Sequence, residues 1–222
     1  MHQLLFVLIF SSGLISCSLK PKSNVIQGMS GSDCFQFASK NKIQEFDNKK
    51  SECLKHRSDN GSTPFMLAAA NGQIPMMEYL LAQGVDINEK DNQGDTALNY
   101  VVSRNQLEAA HFLVSRGARV VSQREDGISS LMQALQIGTP EMALTLMTDT
   151  EALNQFAEDG WTPLYFSIRR QDIRLLTALI DRGACVNVFD SYRQTPLDFA
   201  REVKWTDGEK IIAKAKPCQE KQ

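Results

Sequence analysis

The sequence predicts an all-α solenoid of helix-turn-helix repeats joined by β-turn or hairpin loops. Three observations predict it. Thr63-Pro64, Thr96-Ala97, Ser129-Ser130, Thr162-Pro163 and Thr195-Pro196 recur 33 residues apart. Gly61, Gly94, Gly127 and Gly160 keep the same spacing two residues earlier. Between these marks the apolar residues fall into two short helical patterns split by a polar break. A fixed period of this length means that each unit buries its apolar face on its neighbours, as in a one-dimensional array.

The chain has 222 residues, a formal charge of −2, 42% hydrophobic and 23% charged residues. These are values of an ordinary folded protein. The near-neutral charge gives no reason to expect nucleic acid as the partner. The first residues differ from the rest. An apolar run from Leu4 to Ile15 is broken only by Ser11, Ser12 and Gly13. It has the length of a signal-peptide core and is too short to span a bilayer as a helix. It ends in Leu14-Ile15-Ser16-Cys17, which resembles a bacterial lipobox. The resemblance implies that residues 1–16 are removed and that Cys17 is lipidated as the mature N-terminus. It departs from the usual pattern in having no Lys or Arg before the apolar run. Ser18, where an Asp would imply inner-membrane retention, implies the outer membrane and its periplasmic face in a Gram-negative cell. An ordinary secretory signal, with release of the protein, is the alternative. Residues 17–32 carry the lipid site and then a polar stretch with Pro, Gly and Ser, read as a flexible tether.

The repeat domain is placed at 33–218, as six units. The first, 33–58, has two short helical patterns around Phe35 and Phe46 but no Thr-Pro start, as befits an end cap. In 59–91, Thr63 caps a helix whose first position is Pro64, where a missing N–H costs nothing. Asn71-Gly72 breaks it, and a second helix from Ile74 stops at Gly84. Unit 92–124 repeats this with Leu98, Val101 and Val102, then Leu107, Ala110 and Leu113. Unit 125–157 is degenerate: Ser129-Ser130 replaces Thr-Pro, and Thr150 stands where Gly84, Gly117 and Gly183 stand. Unit 158–190 is the clearest copy, from Asp159-Gly160-Trp161-Thr162-Pro163-Leu164 to Gly183. The last, 191–218, starts at Thr195-Pro196 and ends in a lysine-rich cap.

These residues resemble the ankyrin repeat. Gly-x-Thr-Pro-Leu at 160–164, Leu-Ala-Ala at 67–69, Tyr-Leu-Leu at 79–81 and Gly-Val-Asp-Ile-Asn at 84–88 carry the resemblance. The His that usually follows Thr-Pro-Leu is replaced by Met66, Asn99, Met132, Tyr165 and Asp198. That His normally ties neighbouring turns, so some bonds between repeats are expected to be lost.

Export permits disulfides. Cys34 and Cys53 lie at the two ends of an antiparallel helix pair that would bring them together, closing a loop worth about 3 kcal/mol. Cys185 and Cys218 remain as a second pair. Equivalent positions of rigid neighbouring repeats lie beyond disulfide reach, so this bond asks the tail after Pro217 to fold back. Free thiols are the alternative for all four.

No nucleophile elbow, phosphate loop, HExxH or CxxC occurs. His56 and His111 read as helix-surface residues, and the chain is read as a non-enzyme without cofactor or metal. The resemblance implies instead a protein partner held by the turn tips and first helices. By register the groove candidates include Arg104, Ile128, Trp161, Arg169, Arg170 and Tyr192. Trp161, Ile128 and Tyr192 occupy tip positions that folding does not require to be apolar, and Trp, Tyr and Arg are common interface anchors. The implied function is a lipid-anchored interaction module of the bacterial envelope, monomeric by itself and touching membrane only through its lipid. Its role would be scaffold, protective partner or inhibitor. The alternative is an effector secreted into a host cell to mimic host ankyrin interactions.

Overall fold

The structure is a computed structural model that describes residues 33–121 and 124–218. The signal-like segment, Cys17 and the tether lie outside the described residues. Those described form fourteen α-helices with no strand among them. The first unit holds α1 (Asp33–Ser39), α2 (Ile43–Asn48) and the single turn α3 (Lys50–Cys53). Cys34 and Cys53 are bonded, with Cα atoms 5.1 Å apart. Both are buried, so the bridge pins the two ends of this pair from inside.

The next units are helix pairs: α4 (Pro64–Ala70) with α5 (Ile74–Ala82), then α6 (Ala97–Ser103) with α7 (Leu107–Ser115). All seven residues of α4 are buried. Its small residues Ala68, Ala69 and Ala70 let α1 and α6 close on either side. Thr63 Oγ1 accepts the Met66 amide at 3.2 Å, and Pro64 follows at the first helical position. The break between paired helices needs a left-handed residue. Gly72, Asn105, Gln171 and Lys204 supply it with φ of +66°, +53°, +55° and +55°.

The degenerate unit solves both breaks differently. Here α8 (Ser130–Ile137) ends at Gly138 in extended geometry, and Thr139 caps α9 (Pro140–Leu146), accepting the Met142 amide at 3.2 Å. In place of a terminal glycine turn comes a short extra helix, α10 (Thr150–Asn154), capped by Asp149 on the Ala152 amide at 2.9 Å. Then follow α11 (Pro163–Arg170) with α12 (Ile173–Asp181), and α13 (Pro196–Glu202) with α14 (Thr206–Lys214). First helices pack in the row α1, α4, α6, α8, α11, α13; second helices α7, α9, α12 and α14 form a parallel row. Buried Leu, Met, Ala and Phe between these rows form a continuous core.

Turn tips are joined by backbone bonds that repeat along the array. The Asn92, Glu158 and Ser191 amides donate to the carbonyls of Asn60, Asp126 and Asp159, each at 3.0 Å. That approach explains Gly160: its φ is +79°, and a Cβ there would lie 2.7 Å from the Ser191 nitrogen. A second ladder uses asparagine. The side-chain oxygens of Asn88, Asn154 and Asn187 accept the amides of Arg119, Cys185 and Cys218 at 2.8, 2.7 and 2.9 Å.

The missing His is made good in part: Tyr165 stands at one of its positions and Tyr100 beside another, whereas Met66 and Met132 have no side-chain donor. The Tyr165 hydroxyl donates toward the Gln194 and Val188 carbonyls at 2.6 and 3.2 Å. The Tyr100 hydroxyl donates to Asp91 at 2.8 Å and accepts from Asn60 at 3.3 Å. Burial first of all pushes both phenols well above the usual range, so both stay neutral donors. Cys185 and Cys218 are bonded as well, with Cα atoms 5.3 Å apart. Cys218 takes the place of a next repeat's loop residue: Asn187 holds its amide just as Asn154 holds that of Cys185.

Candidate protein-binding surface

Helix α11 starts at Pro163, which presets its first turn after the N-cap Thr162, and this fixes Trp161 at the preceding tip. Asp159 Oδ1 accepts the Trp161 amide at 3.0 Å, so the tip is braced by its own carboxylate. The indole stacks on Tyr165 at 5.7 Å and meets Phe166 edge-on at 5.5 Å. It also touches Phe199 of the last unit at 4.9 Å. The Arg169 guanidinium sits 5.2 Å from both the Trp161 and Phe166 ring centres. The result is a half-buried indole with an exposed arginine over it. The tip position does not demand an apolar residue, yet here the ring is also packing between two units.

The other candidates are spread out. Arg170 turns away, donating to the Leu135 and Gly138 carbonyls at 3.3 and 2.9 Å, where it closes the end of α8. It is therefore held as a structural clamp. Arg104 is exposed at the end of α6. Ile128 is half-buried, its amide held by Asp126 Oδ1 at 3.0 Å. Tyr192 is 80% exposed. Beside Ile128, Arg124 bridges Asp95 and Asp126 at 2.5 and 2.7 Å. Burial holds the Asp95 carboxyl above its usual range, against the pull of Arg124.

Four exposed apolar residues escaped the sequence reading: Ile137 (51%), Phe156 (50%), Ile173 (48%) and Phe189 (62%). Three of them had a signal in the period. Ile137 is 33 residues from both Arg104 and Arg170, and Phe156 is 33 from Phe189.

The two described histidines lie against neighbouring side chains. The Thr145 hydroxyl donates to the Glu141 carbonyl at 2.9 Å, so it meets His111 Nε2 at 3.3 Å as an acceptor. The His56 ring lies edge-on to Phe35 at 5.0 Å. Among the described residues no group of three or more His, Cys, Asp or Glu could hold a metal ion. No helix among them is long and apolar enough to cross a membrane.

A family model for ankyrin repeats, three copies long, matches residues 29–124 and 131–212. The chain belongs to the ankyrin-repeat family. Ankyrin arrays are protein–protein interaction modules, and no catalytic family is indicated for this one. The ankyrin repeat protein YahD of Escherichia coli (strain K12) is 28% identical over 152 residues, 64% of this chain and 74% of that protein. An L-asparaginase of Dirofilaria immitis is 27% identical over 158 residues, 67% of this chain but 25% of the enzyme. Among solved structures, an ankyrin repeat domain from Acinetobacter baumannii AYE matches with a TM-score of 0.70 and 26% identity. The match covers 81% of this chain and 95% of that one. A second match is a chain in the complex of the predatory endopeptidase Bd0816 from Bdellovibrio bacteriovorus with immunity protein Bd3460. Its TM-score is 0.69 at 27% identity, over 84% of this ankyrin chain and all of that one.

Proposed function

We propose that this ankyrin chain is a non-catalytic inhibitor or protective partner of an enzyme, lipid-anchored through Cys17 in the bacterial envelope. On this reading it faces the periplasm from the outer membrane. The observation that carries the binding role is the Trp161–Arg169 pair. An arginine is left exposed over a half-buried indole on the face made by tips and first helices. Such a pair offers flat apolar area, a guanidinium fork and little entropy to lose, which suits an interface anchor. The inhibitor role draws support from the likeness to a chain in an endopeptidase–immunity protein complex. The envelope placement rests on the Leu-Ile-Ser-Cys sequence at 14–17.

The test has two arms. Labelled palmitate should enter the wild-type chain and not Cys17→Ser, and the labelled chain should sediment with outer membrane. Capture from envelope extracts should then retain one enzyme whose activity falls when the chain is added back. Absence of label would sink the anchor, and a retained enzyme with unchanged activity would sink the inhibitor role.

A further inference from the structure

We infer that the turn tips of the last three units dock a cationic, apolar segment of a partner protein. This rests on the protein-binding reading above and specifies the partner's chemistry. Phe156 and Phe189 occupy the same position of successive units, the residue just before the turn, and are 50% and 62% exposed. Earlier units place Arg57 and Lys90 there, so folding does not ask for an aromatic ring. Tyr192, 80% exposed, follows three residues after Phe189. The rings stand on turns that touch. The Glu158 and Ser191 amides bond to the carbonyls of the preceding tips, and a Cβ on Gly127 would lie 2.8 Å from the Phe156 carbonyl oxygen. Exposed rings on adjoining, hydrogen-bonded turns form a patch and not scattered surface residues.

Charge decides what covers the patch. The arginines of this half of the array are tied to their own neighbours. Arg124 lies on Asp95 and Asp126, and Arg169 on two rings. Arg170 and Arg182 lie on backbone carbonyls, and Arg201 on Glu209. Arg193 is exposed at the last tip without an ion pair among the described residues. Against it stand Glu125, Glu158 and Asp159, exposed on the same tips and without an ion pair among the described residues. Exposed ring faces among unpaired carboxylates attract ammonium and guanidinium groups, whose aliphatic stems also cover apolar area. Nucleic acid and anionic lipid would meet like charge instead.

The test uses fluorescein-labelled short peptides of alternating Lys and Leu, with Glu/Leu and Lys/Ser peptides as controls, titrated into the full chain by anisotropy. The Lys/Leu peptide should bind about tenfold more tightly than either control, and added salt should weaken it. The Phe156→Ser/Phe189→Ser double variant should lose about tenfold in affinity with its melting temperature unchanged. Glu125→Gln/Glu158→Gln should lose affinity and salt dependence together. Equal binding of the Glu/Leu peptide, or unaltered binding by both double variants, overturns the dock. The broader reading is tested separately: if Trp161 and Arg169 variants lose the captured enzyme while the tip variants keep it, this dock fails and the interaction module stands.

Discussion

Tyr165 and Trp161 show how a residue acquires a role its position does not announce. Tyr165 stands where the family places His, and its hydroxyl reaches the Gln194 and Val188 carbonyls of the next turn. Tyr165→Phe should therefore lower unfolding free energy by about 1 kcal/mol, read as a shifted urea midpoint with an unchanged slope. An unchanged midpoint would mean that the hydroxyl does not tie the turns. Trp161 contacts three rings across two units, so Trp161→Ala should cost about 2 kcal/mol as well as binding. Arg169→Ala separates the two effects. It removes a guanidinium that lies over two rings, and should weaken binding while costing only about 0.5–1 kcal/mol of stability, less than Trp161→Ala. The register identified the tip position of Trp161, but no local pattern told that Phe199, 38 positions later, would lie against it.

At the scale of the element, caps decide where helices start, and the caps were legible. Thr63, Ser129 and Thr195 accept the amide three residues on, as Ser/Thr before a helical pattern predicts. The α13 cap is reciprocal: Asp198 accepts both the Thr195 amide and its hydroxyl. Those two bonds from Thr195 hold the Asp198 carboxyl below the usual 3.8. A depressed carboxylate contributes stability above its unfolded pKa and loses that contribution as pH falls through the folded value. Acidification from pH 5 toward pH 3 should thus cost wild type more stability than Asp198→Asn, the difference appearing only below about pH 4. Parallel acid curves would remove the carboxylate from the cap. The elements that sequence missed are the single turn α3 and α10. Their four and five residues are too few for a helical period, and Thr150 read as a lost glycine because Asp149 as a cap has no fixed place in the repeat.

Across the whole molecule, period and ladder outweigh any single unit. The 33-residue spacing alone made the solenoid legible, since each motif meets the next at the same atoms. The Cys185–Cys218 pairing was legible from the cysteine count; what rigid-repeat spacing did not show is that Asn187 holds the Cys218 amide as Asn154 holds that of Cys185. The buried Cys34–Cys53 bridge constrains the first unit, whose α1 packs on α4 and α2 among the described residues. Replacing both with Ala should lower stability by about 3 kcal/mol and make the first unit exchange its amide protons before the rest. Uniform exchange along the array would contradict that order.

On the proposed function, the tip and first-helix face around Trp161 and Arg169 binds an enzyme of the cell envelope and restrains it. The decisive measurement is calorimetric titration of the captured enzyme with wild type and with Arg169→Ala. Binding should be one-to-one and at least tenfold weaker for Arg169→Ala, with inhibition lost in the same proportion. Equal affinity of the two proteins, with both folded, would contradict it.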